Sequence, residues 1–260
     1  MRSVLLVTIG GLVAIGAIAA LQWTAPSRIL SPAVAATPAG PMAIDKAALG
    51  KAMREYILAN PEVLVEAMQE LEKKQESERS NVAQKAIKDY EGELYRDSES
   101  PIGGNPNGNV TIVEFNDYQC PYCKRAYSAI QQVSKADGNV KIVYKDLPIL
   151  GEASKIAAVA ALASRNQGKH SAFHSALMEN TARLDKARIM EIANSVGIDV
   201  AKLETDMQDP KIQRLIERNM AVATALGVRG TPAFVIGKNF VPGAIEPEQL
   251  RALIAEARKG

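Results

Sequence analysis

The sequence predicts an α/β domain that carries an inserted helical subdomain and is preceded by an N-terminal α-helical arm. Two strand-like segments flank the cysteine pair, residues 151–226 contain no convincing strand, and two further short strand segments lie near the C-terminal end. Before this domain, apolar residues recur at helical spacing from residue 45 onwards. The resulting order, β-α-β, helical insertion, β-β-α, is typical of helices packed on one sheet.

Composition excludes several classes of protein. The chain has 260 residues, of which 47% are hydrophobic and 23% charged, as in ordinary globular proteins. Residues 1–36 hold Arg2 and Arg28 and no acid, which leaves 29 of the 31 basic residues against 29 acidic ones. This balance argues against nucleic acid as a partner, because such binding needs a basic surface. Two cysteines are too few for a disulfide-stapled scaffold.

The first 36 residues predict a signal peptide. Arg2 gives a positive start, residues 4–21 are uncharged and mostly apolar, and residues 33–36 (A-V-A-A) offer a small-x-small cleavage pattern. A second candidate cleavage site lies at residues 17–20. An uncleaved membrane anchor is the alternative, since about 18 residues is the minimum that spans a bilayer. Both alternatives place the folded chain outside the cytoplasm, and we expect it in the periplasm, where a disulfide can persist.

Residues 37–98 are predicted to form a linker and a helical arm. Asp45 is a plausible N-cap for a first helix, which should end near Asn60 because a residue before proline avoids the helical region. A second helix should then start with Asn60 as N-cap and Pro61 at its first position. The apolar residues of these two helices form what we call the arm stripe: Leu49, Met53, Ile57, Leu64, Met68 and Leu71.

Residues 72–81 follow the arm stripe and contain no apolar side chain. Such a segment is either a solvated helix or a flexible joint. The arm stripe itself needs a partner, which is either the main domain or the same arm in other copies of the chain. We favour self-association, with residues 72–81 as the joint that sets the domain spacing, because the polar segment separates the stripe from the domain.

Residues 99–260 form the predicted α/β domain. Residues 110–115 (V-T-I-V-E-F) and 140–144 (V-K-I-V-Y) have strand composition, and residues 121–136 between them are long enough for a helix. The remaining predicted elements are helices over 153–164, 170–178, 186–196 and 210–226, short strands over 233–236 and 240–241, and a closing helix over 246–257.

Cys120 and Cys123 lie three residues apart at a strand-to-helix junction, where they can close a small disulfide ring. Cys120 falls at the predicted N-cap and Pro121 starts the helix, so the free N–H groups and the helix dipole stabilise a thiolate there. We therefore assign Cys120 as the exposed, attacking sulfur and Cys123 as the resolving sulfur. Stabilising the thiolate makes the disulfide a better oxidant.

Two other interpretations of the cysteine pair are weaker. An inert disulfide would close so short a loop that it removes little entropy from the unfolded chain. A zinc site with His170 and His174 has suitable ligand types, but 46 residues separate Cys123 from His170, whereas finger-like sites have about a dozen. We expect the histidines to be surface or helix-packing residues, and we expect no metal or other cofactor.

Three segments carry a resemblance to a known family: V-E-F-N-D-Y-Q-C-P-Y-C-K-R (113–125), Q-G-K (167–169) and G-V-R-G-T-P-A-F-V-I-G (227–237). They resemble the DsbA-like branch of the thioredoxin superfamily. The resemblance implies a thioredoxin fold with an inserted helical subdomain, and a redox motif in which Pro121 and Tyr122 lie between the cysteines. It also implies a cis bond between Thr231 and Pro232 beside the cysteines, the alternative being a trans proline that opens an edge strand. A cis proline would let an extended substrate chain pair with the neighbouring backbone.

Residues 59–75 (A-N-P-E-V-L-V-E-A-M-Q-E-L-E-K-K-Q) resemble the N-terminal segment of ScsC-type proteins, the suppressor-of-copper-sensitivity relatives. Some of these trimerise through such an arm and act as disulfide isomerases. The resemblance thus implies an N-terminal α-helical oligomerisation arm, a homotrimer and isomerase activity on misfolded or reduced exported proteins, with a membrane thiol-redox partner. Thr231 before the proline is common in isomerase-type relatives, while oxidases commonly carry Val.

Two other functions stay open. One is a monomeric dithiol oxidase of the DsbA type. The other is a copper-binding protein in which both thiolates hold Cu(I), a soft ion that favours such ligands.

Glu114 is a further candidate, because it lies on the strand that leads to the cysteines. An inward-facing carboxylate there would lie under Cys123 and could relay the proton of the resolving thiol. The alternative is a glutamate that faces solvent. Lys141, on the next predicted strand, could pair with Glu114 if both side chains point inward.

Overall fold

The structure, a computed structural model, describes residues 45–259. The predicted signal peptide and the linker up to residue 44 lie outside the described residues. The chain divides after Ala59 into two compact units. In the first, α1 (Lys46–Ala59) begins after Asp45, whose carboxylate accepts the N–H of Ala47 at 2.9 Å. The predicted N-cap and the predicted end of this helix are confirmed.

The second unit is built on a five-stranded sheet with helices on both faces. Its strands are β1 (Ile102–Gly104), β2 (Val110–Asn116), β3 (Val140–Asp146), β4 (Ala233–Ile236) and β5 (Asn239–Pro242). Its helices are α2 (Glu62–Asp89), α3 (Glu91–Tyr95), α4 (Pro121–Asp137), α5 (Glu152–Ala163), α6 (His170–Glu179), α7 (Lys186–Ser195), α8 (Val200–Asp206), α9 (Pro210–Ala225) and α10 (Pro247–Ala257). The strand order is β1-β3-β2-β4-β5, in which β2 and β3 are parallel and all other neighbours are antiparallel.

Alternate residues of the central strand β2 face two different cores. Ile112 packs in a core with residues of α4 and α10, while Val113 and Phe115 pack with residues of α9 and the C-terminal part of α2. Successive side chains of a strand point to opposite faces. Glu114 therefore faces the same layer as Ile112, the one that carries α4.

The inserted helices form a subdomain whose core continues into the cysteine motif. Helix α5 buries alanines such as Ala157 and Ala161, and these small side chains let α6 and α7 pack closely against it. Phe173 fills the space between these helices, and the same apolar cluster includes both cysteines. The predicted thioredoxin fold with an inserted helical subdomain is confirmed.

Helix α2 runs without a break through residues 72–81, so the solvated-helix alternative is correct and the predicted flexible joint is wrong. The segment consists mainly of Glu, Lys, Gln and Arg, which are good helix formers even without burial. With 28 residues, α2 is roughly 42 Å long at 1.5 Å per residue. Its N-cap is Pro61, one residue later than the predicted Asn60.

The two ends of the arm differ in their burial. Near its C-terminal end, α2 buries Ala83, Ala86 and Ile87, and the latter two pack against the sheet and α9. This end of the arm therefore packs on the main domain, which was the alternative to self-association. The arm stripe, in contrast, is uncovered: Ile57 is half-buried and the other five members are exposed. Its self-association stays a prediction.

Three elements of the described chain were not predicted: β1, α3 and α8. Strand β1 lies in a turn-rich segment, and it is ordered by antiparallel pairing with β3, in which Gly103 lies opposite Ile142. A Cβ at Gly103 would collide with the Tyr144 ring, so this pairing needs glycine. Helix α8 is short and begins at Asp199, whose side chain accepts the N–H of Lys202. Within residues 45–259, no helix combines the length and apolar character of a membrane span.

A buried ion pair under the sheet gives a test of this packing. Lys145 is 1% exposed, and its Nζ lies 3.0 Å from Asp97 Oδ2 and 2.7 Å from Ser100 Oγ. Asp97→Asn leaves this ammonium without its nearest counter-charge, so we expect the free energy of unfolding to fall by about 3 kcal/mol in urea denaturation.

The control for this prediction is Asp89→Asn, which breaks an exposed ion pair with Lys85. We expect the control to leave stability unchanged, since exposed pairs contribute little. Equal stability of the two variants would contradict a structural role for the Lys145 pair.

Candidate active site

The site is built at the N-terminus of α4. Cys120 is the N-cap residue, in extended conformation, and its sulfur accepts the N–H of Cys123 at 3.4 Å. Pro121 occupies the first turn, where its missing N–H costs no hydrogen bond. Neither cysteine is in a disulfide. The predicted N-cap position of Cys120 is confirmed.

The two cysteines differ sharply in acidity. The side-chain hydrogen bond with Cys123 is the main cause that lowers the pKa of Cys120, to about 6, although burial opposes it. Hydrogen bonding with the Thr231 side chain and with the backbone of Cys123 and Tyr122 lowers this pKa further. Burial strongly raises the pKa of Cys123. At neutral pH, Cys120 is therefore mainly a thiolate and Cys123 a thiol.

The expectation that Cys120 is an exposed sulfur is wrong in degree. Cys120 is 3% exposed and Cys123 is 0% exposed, so only their order is as predicted. The reason is tertiary: the loop that carries Thr231 lies directly on Cys120, whose Sγ contacts the Thr231 carbonyl oxygen at 3.2 Å.

The peptide bond between Thr231 and Pro232 is cis, as the resemblance implied. Pro232 is buried, and its carbonyl oxygen accepts the N–H of Gly243 at 2.9 Å. The sheet brings this loop to the cysteines, because β4 pairs with β2 and Phe115 lies opposite Ala233. Two segments separated by 111 residues thus meet at one sulfur.

The residues between the cysteines form the outer surface of the site. Pro121 is exposed, and Tyr122 is 54% exposed beside it. The Arg125 guanidinium lies over the Tyr122 ring, 4.9 Å from its centroid, which holds the ring by a cation–π contact.

Glu114 is fully buried, so the inward-facing alternative is correct. Neither of its carboxylate oxygens has a hydrogen-bond partner in the described part of the chain. Burial, helped by the charge of Asp146, raises the pKa of Glu114 to about 8. The carboxyl group can therefore hold or accept a proton near neutral pH.

The suggested pairing of Glu114 with Lys141 is wrong. Glu114 lies opposite Tyr144 in the β2–β3 register, whereas Lys141 lies opposite Thr111. This parity sends Lys141 to the other face of the sheet, where its Nζ donates to the Tyr95 carbonyl at 3.3 Å. Two side chains on neighbouring strands can pair only if both lie on the same face of the sheet. The strand register decides this, and the sequence alone does not show the register.

The two histidines are packing residues rather than surface residues. His174 is 1% exposed, and its Nδ1 lies 2.9 Å from the Tyr118 hydroxyl. Its ring also lies against that of Tyr144, with centroids 4.1 Å apart. Burial lowers the pKa of both His170 and His174, so both are neutral. Among residues 45–259, no group of three side chains is arranged to hold a metal ion.

Two buried aspartates at the ends of β2 and β3 were missed in the sequence. The Asp117 carboxylate accepts hydrogen bonds from the N–H groups of Gln119, Ile149 and Leu150 and from the Ser154 hydroxyl. It thereby fixes the turn before Cys120. Asp146 is buried at the end of β3, where it accepts a hydrogen bond from Asn116 at 3.2 Å, and burial raises its pKa to about 7. The only sequence signal was their position directly after each strand core.

The arrangement can perform thiol–disulfide exchange. A thiolate attacks a disulfide sulfur, and a neighbouring thiol then resolves the mixed disulfide. Cys120 and Cys123 are suited to these two roles by their opposite pKa shifts.

Alkylation tests this division of roles. We expect iodoacetamide to label Cys120 of the reduced protein at pH 7 well before Cys123, with a reactivity midpoint near pH 6, because the thiolate is the reacting form. Peptide mapping after brief exposure identifies the labelled residue. In Cys123→Ala the midpoint should rise, because the main hydrogen bond to Cys120 is lost. Faster labelling of Cys123 would reverse the assignment.

Two known domain families match this chain. The DSBA-like thioredoxin domain matches residues 111–255, which include the cysteine motif and the cis-proline loop. The copper resistance protein ScsC N-terminal domain matches residues 45–78, which include the arm stripe.

Solved structures and curated proteins that are similar to this chain include the following three. A thioredoxin-like oxidoreductase from Silicibacter pomeroyi is 46% identical, with 65% of this chain and 98% of that chain covered and a TM-score of 0.64. The catalytic domain of Proteus mirabilis ScsC is 30% identical, with 68% and 99% covered and a TM-score of 0.63. The Na⁺/H⁺ antiporter NhaA 1 of Salinispora arenicola is 27% identical over 161 residues, which is 61% of this chain. The match spans only 25% of that relative's length. The chain belongs to the DSBA-like thioredoxin domain family.

Proposed function

We propose that the protein is an exported thiol:disulfide oxidoreductase that acts chiefly as a disulfide isomerase on misfolded proteins. The observation that carries the proposal is the placement of Cys120 at the start of α4, 3.2 Å from the Thr231 carbonyl oxygen and one turn before Cys123, together with the opposite pKa shifts of the two sulfurs. Membership of the DSBA-like family supports the oxidoreductase class. The arm that matches the ScsC N-terminal domain, and Thr231 before the cis proline, favour the isomerase.

Isomerisation uses Cys120 as a nucleophile that is returned unchanged. Its thiolate attacks one sulfur of a wrong substrate disulfide, the S–S bond breaks, and the other substrate sulfur leaves as a thiolate. A second substrate thiolate then attacks the mixed disulfide at the substrate sulfur, which forms the new disulfide and releases Cys120 as a thiolate. The substrate is neither oxidised nor reduced overall.

Cys123 releases a substrate that stays bound to Cys120 as a mixed disulfide without forming a new disulfide of its own. It loses its proton and attacks the Cys120 sulfur, which releases the substrate thiolate and forms a Cys120–Cys123 disulfide. This step reduces the substrate by two electrons, and a dithiol of a membrane thiol-redox partner then reduces the pair again. The same disulfide, attacked by a reduced exported protein, would give oxidase activity.

Glu114 is proposed to accept the Cys123 proton in this release step. Burial keeps Cys123 protonated, so its attack requires a base. Glu114 lies on the sheet face covered by α4 and has a raised pKa, and its carboxylate oxygens have no hydrogen-bond partner among the described residues.

The arm is proposed to join three chains through the arm stripe. Five of its six residues are exposed, and an uncovered apolar face of this kind is typical of an association surface. Linking catalytic domains raises the local concentration of reactive thiolates around one substrate. We propose the trimer rather than the dimer from the resemblance to ScsC-type proteins, and periplasmic export from the signal-peptide pattern of residues 1–36.

Two alternative functions make different predictions. A monomeric dithiol oxidase would use the same cysteines without the arm. Binding of Cu(I) is favoured by one observation, the match of the arm to a copper resistance protein domain. Two thiolates form an incomplete Cu(I) site, which another chain would have to complete.

Removal of the arm stripe tests the isomerase proposal. The mature protein should be an oligomer that reactivates a scrambled disulfide protein. Deletion of residues 37–71 should leave a folded, redox-active monomer that gains dithiol oxidase activity and loses isomerase activity, as measured by light scattering and refolding assays. A monomeric mature protein, or a truncated form that isomerises as well as the parent, would show the proposal to be wrong. Tight Cu(I) retention without either activity would favour the copper-binding alternative.

Single substitutions provide a matched control for the deletion. Leu64→Glu places a charge in the arm stripe and should dissociate the oligomer, whereas Glu70→Gln on the same exposed helix should not.

The proposed proton transfer predicts a change in pH profile. In Glu114→Gln, the rate at which Cys123 releases a mixed disulfide should fall and lose its rise near pH 8, because the neutral amide accepts no proton. Asp146→Asn should instead move this rise to lower pH, since the Asp146 charge contributes to the raised pKa of Glu114. Stopped-flow release of a fluorescent substrate measures both. An unchanged pH profile in Glu114→Gln would exclude the proton transfer.

A further inference from the structure

A groove of about 700 Å³ lies beside the cis-proline loop and has no part in the steps above. Thr231 and Pro232 lie at one side of it, and Val228 and Phe240 contribute apolar surface. The volume is within the range of roughly 300–1,000 Å³ that is usual for ligand sites. Helix α2 supplies the opposite side, although its first part, up to residue 78, matches an N-terminal domain rather than the catalytic domain.

The α2 residues in the groove form one face of the helix. Gln75, Glu78, Arg79 and Val82 have the spacing i, i+3, i+4, i+7, which aligns side chains on one side of a helix. They belong to the end of the polar segment 72–81 and the residue that follows it. The polar segment is thus solvated on one side and lines a groove on the other.

The polar groups of this face are available to a ligand. In the described chain, the side chains of Glu78 and Arg79 have no ion pair or hydrogen bond, whereas Glu70 pairs with Lys73 and Lys85 with Asp89 on the same helix. Val82 is 54% exposed beside them. The wall therefore combines an uncovered apolar side chain with two unpaired charges, a mixture typical of binding sites.

The position of the groove indicates what it binds. The Thr231 carbonyl contacts the Cys120 sulfur at 3.2 Å, so a substrate sulfur bonded to Cys120 must lie next to this loop. The polypeptide that carries this sulfur then leaves past Thr231 and Pro232, where the groove begins. Apolar surface suits apolar side chains, and an extended backbone needs hydrogen-bonding partners that charged side chains can supply.

We propose that α2 forms one wall of the substrate site, and that the groove binds an extended apolar segment of the misfolded polypeptide beside its reacting cysteine. Val82 contacts the apolar side chains of that segment, and Glu78 and Arg79 bond its polar groups. The proposal rests on the proposed function and adds to it a basis for selecting substrates. Extended apolar segments are buried in folded proteins, so a site for them favours misfolded chains.

The test compares two disulfides that react with the same thiolate. One is a mixed disulfide between a chromophoric thiol and a peptide whose single cysteine is flanked by Leu and Phe; the other is a small symmetric disulfide of that thiol. Val82→Asp, and the double variant Glu78→Ala with Arg79→Ala, should slow the peptide reaction about tenfold, as expected for loss of one buried side chain. Both variants should leave the rate with the small disulfide unchanged.

Lys73→Ala, on the opposite side of α2, is the matched control and should react with both disulfides as the parent does. A peptide with Gly and Ser flanks should show little difference between Val82→Asp and the parent. Circular dichroism and light scattering verify folding and oligomeric state. An unchanged peptide rate in the groove variants, or an equal loss for both disulfides, would overturn the proposal.

Failure of the proposed function is a separate result. If the parent reacts with neither disulfide, the exchange chemistry is wrong, and the groove is then judged by binding of a serine version of the apolar peptide. Weaker fluorescence-detected binding to Val82→Asp than to the parent would support the groove, and equal binding would overturn it.

Discussion

The Cys120 sulfur is held between the start of α4 and the Thr231 carbonyl, and this placement is the constraint on which the other features depend. A sulfur at an N-cap accepts a hydrogen bond from the first turn, and the helix dipole favours its negative charge. The carbonyl opposite belongs to a distant segment that the β2–β4 pairing brings near. Asp117 fixes the turn that precedes Cys120. Its carboxylate accepts hydrogen bonds from this turn, from the loop after β3 and from Ser154 of α5.

Four titratable side chains, Glu114, Asp146, His170 and His174, are buried in this part of the domain. Among the described residues, none of the four forms an ion pair. Burial raises the pKa of Glu114 and of Asp146, while it lowers the pKa of His170 and His174, so all four tend to their neutral forms. Burying such groups costs stability, which a purely structural core would avoid with apolar side chains. The neutral histidines pack against Tyr118 and Tyr144 and complete this layer.

The N-terminal arm has two distinct kinds of surface. The arm stripe is apolar and uncovered, whereas the C-terminal part of α2 is anchored on the catalytic domain through Ala86 and Ile87. Between them, the polar segment forms part of the groove beside the cis proline. Helix α2 therefore carries part of the arm stripe and one wall of the groove.

Local patterns in the sequence determined much of this protein. The helix that begins at Pro121, the N-cap role of Cys120, the strands around the motif and the arm stripe all follow from residue spacing and capping chemistry, which act over a few residues. Tertiary structure alone decided which face a strand residue occupies: register buried Glu114 under α4 and sent Lys141 to the other side. It also ordered β1 and enclosed both histidines. Such outcomes depend on pairing between distant segments, and a shift of one residue in register would reverse them, so no local pattern contains them.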